Sequence, residues 1–159
     1  MNLSTLLWTT FFAFLPISEL RGAIPFAIAR GTPWYMALLY SVFINALVAP
    51  VCWIFLSTVH RLLYRWSWYH KTFDAFVERA RVKVHEKVET WGWLGIAAFV
   101  AIPLPVTGAW TGTLGAWILG LDKKKTFLAV IIGVAVAGLI VTAVSMLGIS
   151  AFSIFVKKL

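Results

Sequence analysis

Leu15-Pro16-Ile17-Ser18-Glu19-Leu20-Arg21-Gly22-Ala23-Ile24-Pro25 sits in the middle of an apolar block that runs from Leu3 to Ala29. A block of that length reaches the ~20 residues a helix needs to cross about 30 Å of hydrocarbon. Proline removes a backbone donor and clashes with the preceding turn, so Pro16 and Pro25, with Ser18 and Gly22 between them, mark a broken helix. Broken backbone at membrane depth persists only where protein covers it or where it lines a cavity. The block therefore reads as a discontinuous helix or a re-entrant hairpin.

Trp91 to Leu121 is interrupted in the same manner, by Pro103, Pro105, Thr107, Gly108 and Gly112, with Trp110 among them. At an offset of 89, Leu15-Pro16-Ile17-Ser18 lies over Leu104-Pro105-Val106-Thr107, and Gly31 lies over Gly120. Each broken block is followed by an uninterrupted one, Trp34 to Val59 and Thr126 to Val156. Paired, interrupted hydrophobic segments in corresponding places point to an inverted-repeat transporter and to its binding site. The expected fold is an all-α integral membrane protein in a single membrane domain. Its halves, residues 1–59 and 91–159, each form a broken helical hairpin followed by a transmembrane helix, and residues 60–90 join them.

The composition agrees with a lipid environment. A mean hydropathy of +0.88, 61% hydrophobic residues and only 13% charged ones leave more apolar surface than a soluble domain of this size can hide. The net charge of +8 does not indicate nucleic acid, because the basic residues gather between apolar blocks instead of on a polar domain. Half of the 14 lysines and arginines lie in 60–90, which places that segment on the cytoplasmic side of the cell membrane. Its Tyr64, Trp66, Trp68 and Tyr69 suit a headgroup interface. Phe73, Phe76, Val77, Ala80, Val84 and Val88 then recur at helical spacing, as in an amphipathic helix lying on the membrane. The N-terminus lacks a basic n-region and a small-residue cleavage site, so it is expected to remain in the mature protein. Cys52 lies in an apolar run and reads as a core residue.

Glu19 is the only carboxylate within an apolar block and Arg21 the only basic residue deep in one. Each costs roughly 2.5–3.5 kcal/mol at a helix centre on an insertion scale. Residues two apart do not face each other on a helix but share a side of an extended segment, so the pair implies unwound backbone. One reading makes them structural, paired with each other or with free carbonyls. The other makes them a substrate and proton site: Arg21 offers a fork of donors to a phosphate or carboxylate, and Glu19, withdrawn from water, carries a proton. The stripe Gly108, Gly112, Ala116 and Gly120 reads as close helix packing. No nucleophile with its base, carboxylate pair or metal set is visible, and His85-Glu86 lacks the second histidine of a zinc site. The expectation is a protein that is not an enzyme and carries no metal or cofactor.

The two motifs, Leu15 to Pro25 and Ile102 to Gly112, resemble the small multidrug export protein family, which looks like a distant branch of the DedA superfamily. The resemblance covers nearly the whole chain. It implies facing re-entrant hairpins in proteins linked to lipid scrambling or to transport of polyprenyl-phosphate carriers. By motif, Glu19 and Arg21 match the charged positions of the first hairpin, and Pro103, Pro105 and Gly108 the break in the second. DedA members often carry a further arginine in the second half, where this chain has none.

The leading expectation is a flippase for an anionic lipid or lipid-linked phosphate, coupled to protons, with membrane lipids and a second copy of the chain as candidate partners. Efflux of small amphipathic cations is the alternative within transport. Glu19 beside Arg21 leaves no net negative site and speaks against it. A non-transporting structural membrane component is the alternative outside transport.

Overall fold

The computed structural model describes residues 1–58, 74, 78, 91–104 and 107–156. These residues are helical throughout, apart from turns and short connections, and form no strand. The elements run α1 (Leu3–Phe14), α2 (Glu19–Ala29), α3 (Trp34–Ala46), α4 (Val48–Ser57), α5 (Trp93–Ala101), α6 (Ala109–Ile118) and α7 (Lys123–Val156).

Helix length separates the elements into two kinds. α1, α2, α5 and α6 have 12, 11, 9 and 10 residues, about 14–18 Å at 1.5 Å per residue, so none crosses the hydrocarbon alone. Two stretches are long and apolar enough to cross it: Trp34–Ser57, with a mean hydropathy of 2.0 over 24 residues, and Lys123–Gly148, with 2.8 over 26. The first divides into α3 and α4 at Leu47. Pro50 explains the seam, since it has no N–H to give the Ala46 carbonyl and its ring crowds that carbonyl. Both spans turn large apolar side chains outward, including Leu39 at 67% exposure and Leu147 at 70%, a surface that only lipid covers at low cost.

α7 is the centre of the packing. It runs beside α5, and α2, α3 and α6 also rest against it. Glycine allows the close approaches. A Cβ on Gly133 would meet the Val100 side chain and the Ala97 carbonyl, and one on Gly138 would meet Val42 and Leu38. Ile24, Ile96, Val130 and Val134 fill the resulting core.

The element bounds follow the offset of 89. Moved by that amount, α1, α2 and the start of α3 fall on 92–103, 108–118 and 123, within two residues of the bounds of α5 and α6 and on the start of α7. The ends of α2 and α6 are built alike. Gly31 and Gly120 both adopt positive φ, +80° and +67°. Thr32 donates to Ala27 and Leu121 to Ala116, each at 3.0 Å, the 6→1 bond of a Schellman cap.

Several expectations change in detail. The first connection is confined to 15–18, so Pro16 and Ser18 lie in it while Gly22 and Pro25 lie inside α2. Glu19 and Arg21 belong to the first turn of α2 and not to an extended segment. Gly112 does lie in a close contact, opposite Val100, but Gly120 forms the turn after α6 instead of extending a packing stripe. Pro103 and Thr107 lie in the second connection, Gly108 caps α6, and Trp110 and Gly112 lie within it. Pro105 falls outside the described residues, as does the segment 60–90 apart from Asp74 and Glu78, both helical.

Candidate functional site

The two connections meet. Glu19 opens α2 with φ +46°, and it is the only residue other than glycine with positive φ among the described residues. An L-residue in that conformation costs of order 1–2 kcal/mol, so surrounding contacts must hold it. The carboxyl is buried, 6% exposed, and turned onto the N-terminus of α6. There Oε1 accepts from the Trp110 amide at 3.4 Å, and the Ala109 amide serves the carboxylate as well. Free amides and the helix dipole favour a negative group at that point. Gly108 is required there, because a Cβ on it would overlap the Glu19 carboxyl. By the offset, Gly108 is the counterpart of Glu19.

Arg21 also reaches across. Its Nη1 donates to the Leu104 carbonyl and its Nη2 to the Thr107 carbonyl at 3.3 Å. Nη2 stands 4.0 Å from Glu19 Oε2, so the ion pair is the longest of the three contacts. The second connection also bonds to itself: the Thr107 hydroxyl shares its one proton between the Ile102 and Leu104 carbonyls and accepts from the Leu104 amide at 3.1 Å. The side chains of Arg21 and Thr107 thus supply donors to a segment in which Pro103 has none.

The C-terminus of α1 is repaired from the opposite direction. Trp110 Nε1 donates to the Phe14 carbonyl at 2.9 Å, and the two rings meet edge to face at 5.5 Å. Asn45, on α3, donates from Nδ2 to the Ala13 carbonyl at 2.7 Å. Glu19, Arg21, Asn45 and Thr107 line a cavity of about 10 Å³ between the connections, with Val100 and Val134 in its wall. That is room for about one water molecule.

Glu19, Arg21, Pro103, Thr107, Gly108 and Trp110 therefore meet where the two connections face each other. Arg21 faces carbonyls and not an open pocket. Ser18 takes no part in the junction; its hydroxyl would meet a Cβ added to Gly22. Sequence reasoning passed over Asn45. An amide in the middle of an otherwise uncharged span is costly in lipid, and that cost is the signal that marks it.

Short broken helices packed between two long apolar ones, with a charged junction at their breaks, define a membrane protein. Residues 19–140 match the family described as "Putative small multi-drug export protein", and the chain belongs to that family. The match begins at Glu19 and takes in Arg21, Asn45 and the whole second connection. Neither the curated proteins nor the solved structures contain a match to the chain.

Proposed function

We propose that the protein exports small amphipathic molecules across the membrane, with the junction of the two helix breaks as its gate and Glu19 as the group that exchanges a proton. The observation that carries this is the crossing of contacts. Glu19 and Arg21 of one half bond to backbone of the other, so the gate opens only when those bonds are exchanged for others. The short helices and the shared offset support a pair of re-entrant hairpins related as an inverted repeat, the arrangement in which alternating access works by rocking one half against the other. The family description supports the export of drug-like molecules.

The contacts of Arg21 also favour this substrate class. The guanidinium donates to the Leu104 and Thr107 carbonyls, so its donors are directed away from the Glu19 carboxyl, although its charge stays 4.0 Å from it. A lipid phosphate would have to draw Arg21 away from both carbonyls, so the flippase reading stands second.

Transport of ethidium, and separately of a fluorescent lipid phosphate, in proteoliposomes under an imposed pH gradient tests the reading. The expected result is ethidium movement that is lost in Glu19→Gln. Lipid movement without ethidium movement would put the flippase reading first. If neither probe moves faster than in protein-free vesicles, the transport reading fails.

A further inference from the structure

Asn45 is 1% exposed, and its amide orientation is fixed by its neighbour. The Ala13 carbonyl can only accept, so Nδ2 faces it and Oδ1 points away. Among the described residues no group donates to that oxygen, and Ser41, one turn earlier on α3, makes no bond to it. Buried acceptors are rarely left without a donor. Of the side chains lining the cavity, Arg21 and Thr107 turn their donors elsewhere, and an ionised Glu19 has none to give. The Arg21 donors are directed at the Leu104 and Thr107 carbonyls, and the Thr107 hydroxyl donates to carbonyls of its own connection. Asn45 and Glu19 both line the cavity, which is the size of a water molecule or an ammonium group, and each brings an acceptor to it, the unpaired Oδ1 of one and the ionised carboxyl of the other.

We infer that Asn45 is a binding residue, and that its Oδ1 and the Glu19 carboxyl form an acceptor pair for one small N–H or O–H donor, supplied by a water molecule or by the ammonium end of an exported amine. The inference deepens the export reading and rests on it only for the amine. Charge around Glu19 is simple. α1, α3, α4, α5 and α6 bring no lysine, arginine, histidine or carboxylate, and the lysines of α7, Lys123 to Lys125, stand about 14 Å or more along the helix from Val134. Arg21 is the one charged neighbour among the described residues.

Full-length protein in lipid nanodiscs gives two readouts that need no transport. The first is affinity for hexylamine and for hexyltrimethylammonium, which share tail and charge but differ in N–H donors. The second is the infrared carboxyl band of Glu19, identified by its loss in Glu19→Gln and followed against pH. If the donor is an amine, wild type prefers hexylamine, and Asn45→Leu weakens that ligand roughly tenfold while leaving the other unchanged. If the donor is water, the two ligands bind alike, and Asn45→Leu moves the pH midpoint of the band by about one unit or more.

Asn45→Leu also removes the bond to Ala13. Asn45→Ser separates the two roles without adding charge, since its hydroxyl can donate back to the Ser41 carbonyl four residues earlier and leave its oxygen free to accept. It should retain more of the wild-type behaviour than Leu does. Should Leu fail to fold, Asn45→Ala replaces it. A band midpoint and both affinities unmoved by Leu, or moved equally by Leu and Ser, would overturn the inference and leave Asn45 as a cap on α1. If these readouts hold while export fails, the function fails and the acceptor pair stands. Export lost in Glu19→Gln with both readouts unmoved by Asn45→Leu would do the reverse.

Discussion

Arg21 and Trp110 occupy corresponding positions 89 residues apart, and each donates a side-chain N–H to carbonyls of the opposite break. Arg21 serves Leu104 and Thr107; Trp110 serves Phe14. A helix end leaves carbonyls without partners, and lipid offers none. Each half therefore repairs its break with a group from the other, and separating the halves would expose both sets of carbonyls together.

Trp110→Phe should lower stability by about 1–3 kcal/mol, the cost of leaving a buried acceptor unpaired. The ring still packs on Phe14, so the loss isolates Nε1. Unfolding in mixed micelles by denaturant titration measures it, with Trp110→Ala expected to lose more. Equal stability of the Phe variant and wild type would mean that water reaches the Phe14 carbonyl.

Arg21→Lys should fail to restore function although it keeps the charge. The guanidinium spans two carbonyls with a planar fork, and an ammonium on a flexible stem does not reproduce that geometry. One charge-assisted bond lost is worth about 1.5–3 kcal/mol, so export should fall at least about tenfold. Wild-type export in the Lys variant would reduce the role of Arg21 to its charge.

Gly108→Ala and Gly112→Ala should fail for different reasons. The first places a methyl on the Glu19 carboxyl and the second on Val100. Val100→Ala should then recover stability in the Gly112→Ala background and give nothing to Gly108→Ala. Thermal unfolding of the two double variants decides. Equal rescue of both would mean that the Glu19 carboxyl moves aside freely.

The breaks at Pro16 and Pro103 were legible in the sequence because proline withholds a backbone donor, although Pro25 lies inside α2 without ending it, and the offset of 89 was legible because the helix ends share a glycine. The start of α2 was not. Glu19 adopts a left-handed backbone that its residue type disfavours, and the contacts holding it come from Ala109 and Trp110, some ninety residues away. The partners of Arg21 were hidden for a similar reason. A sequence shows the donor, but its acceptors are backbone carbonyls, which every residue carries.

If the broken helices are re-entrant, Lys123 to Lys125 and the segment 60–90 lie on the same side of the membrane. Single cysteines at Lys124 and Lys83, in a background lacking Cys52, should then react with an impermeant reagent from one and the same face. Labelling of the two positions from opposite faces would favour four plain crossings.

The pH dependence of substrate binding separates the two transport readings by its sign. If the exported molecule is a cation held by the Glu19 carboxylate, substrate and proton compete for one group, and linkage requires each to weaken the other's binding. Affinity should then rise with pH across the titration of Glu19. If the substrate is a lipid phosphate that draws Arg21 from the Leu104 and Thr107 carbonyls, Glu19 loses its one charged neighbour and its protonated form gains. Affinity should then rise as pH falls. Glu19→Gln removes the titrating group in either case and should flatten the profile over the same range. Binding of ethidium and of a short-chain lipid phosphate to the purified protein, measured against pH in wild type and Glu19→Gln, gives both signs in one experiment. The expected outcome is ethidium affinity that increases with pH in wild type and stays level in the variant. An identical profile in the two proteins would remove Glu19 from coupling and leave it as the cap of α6.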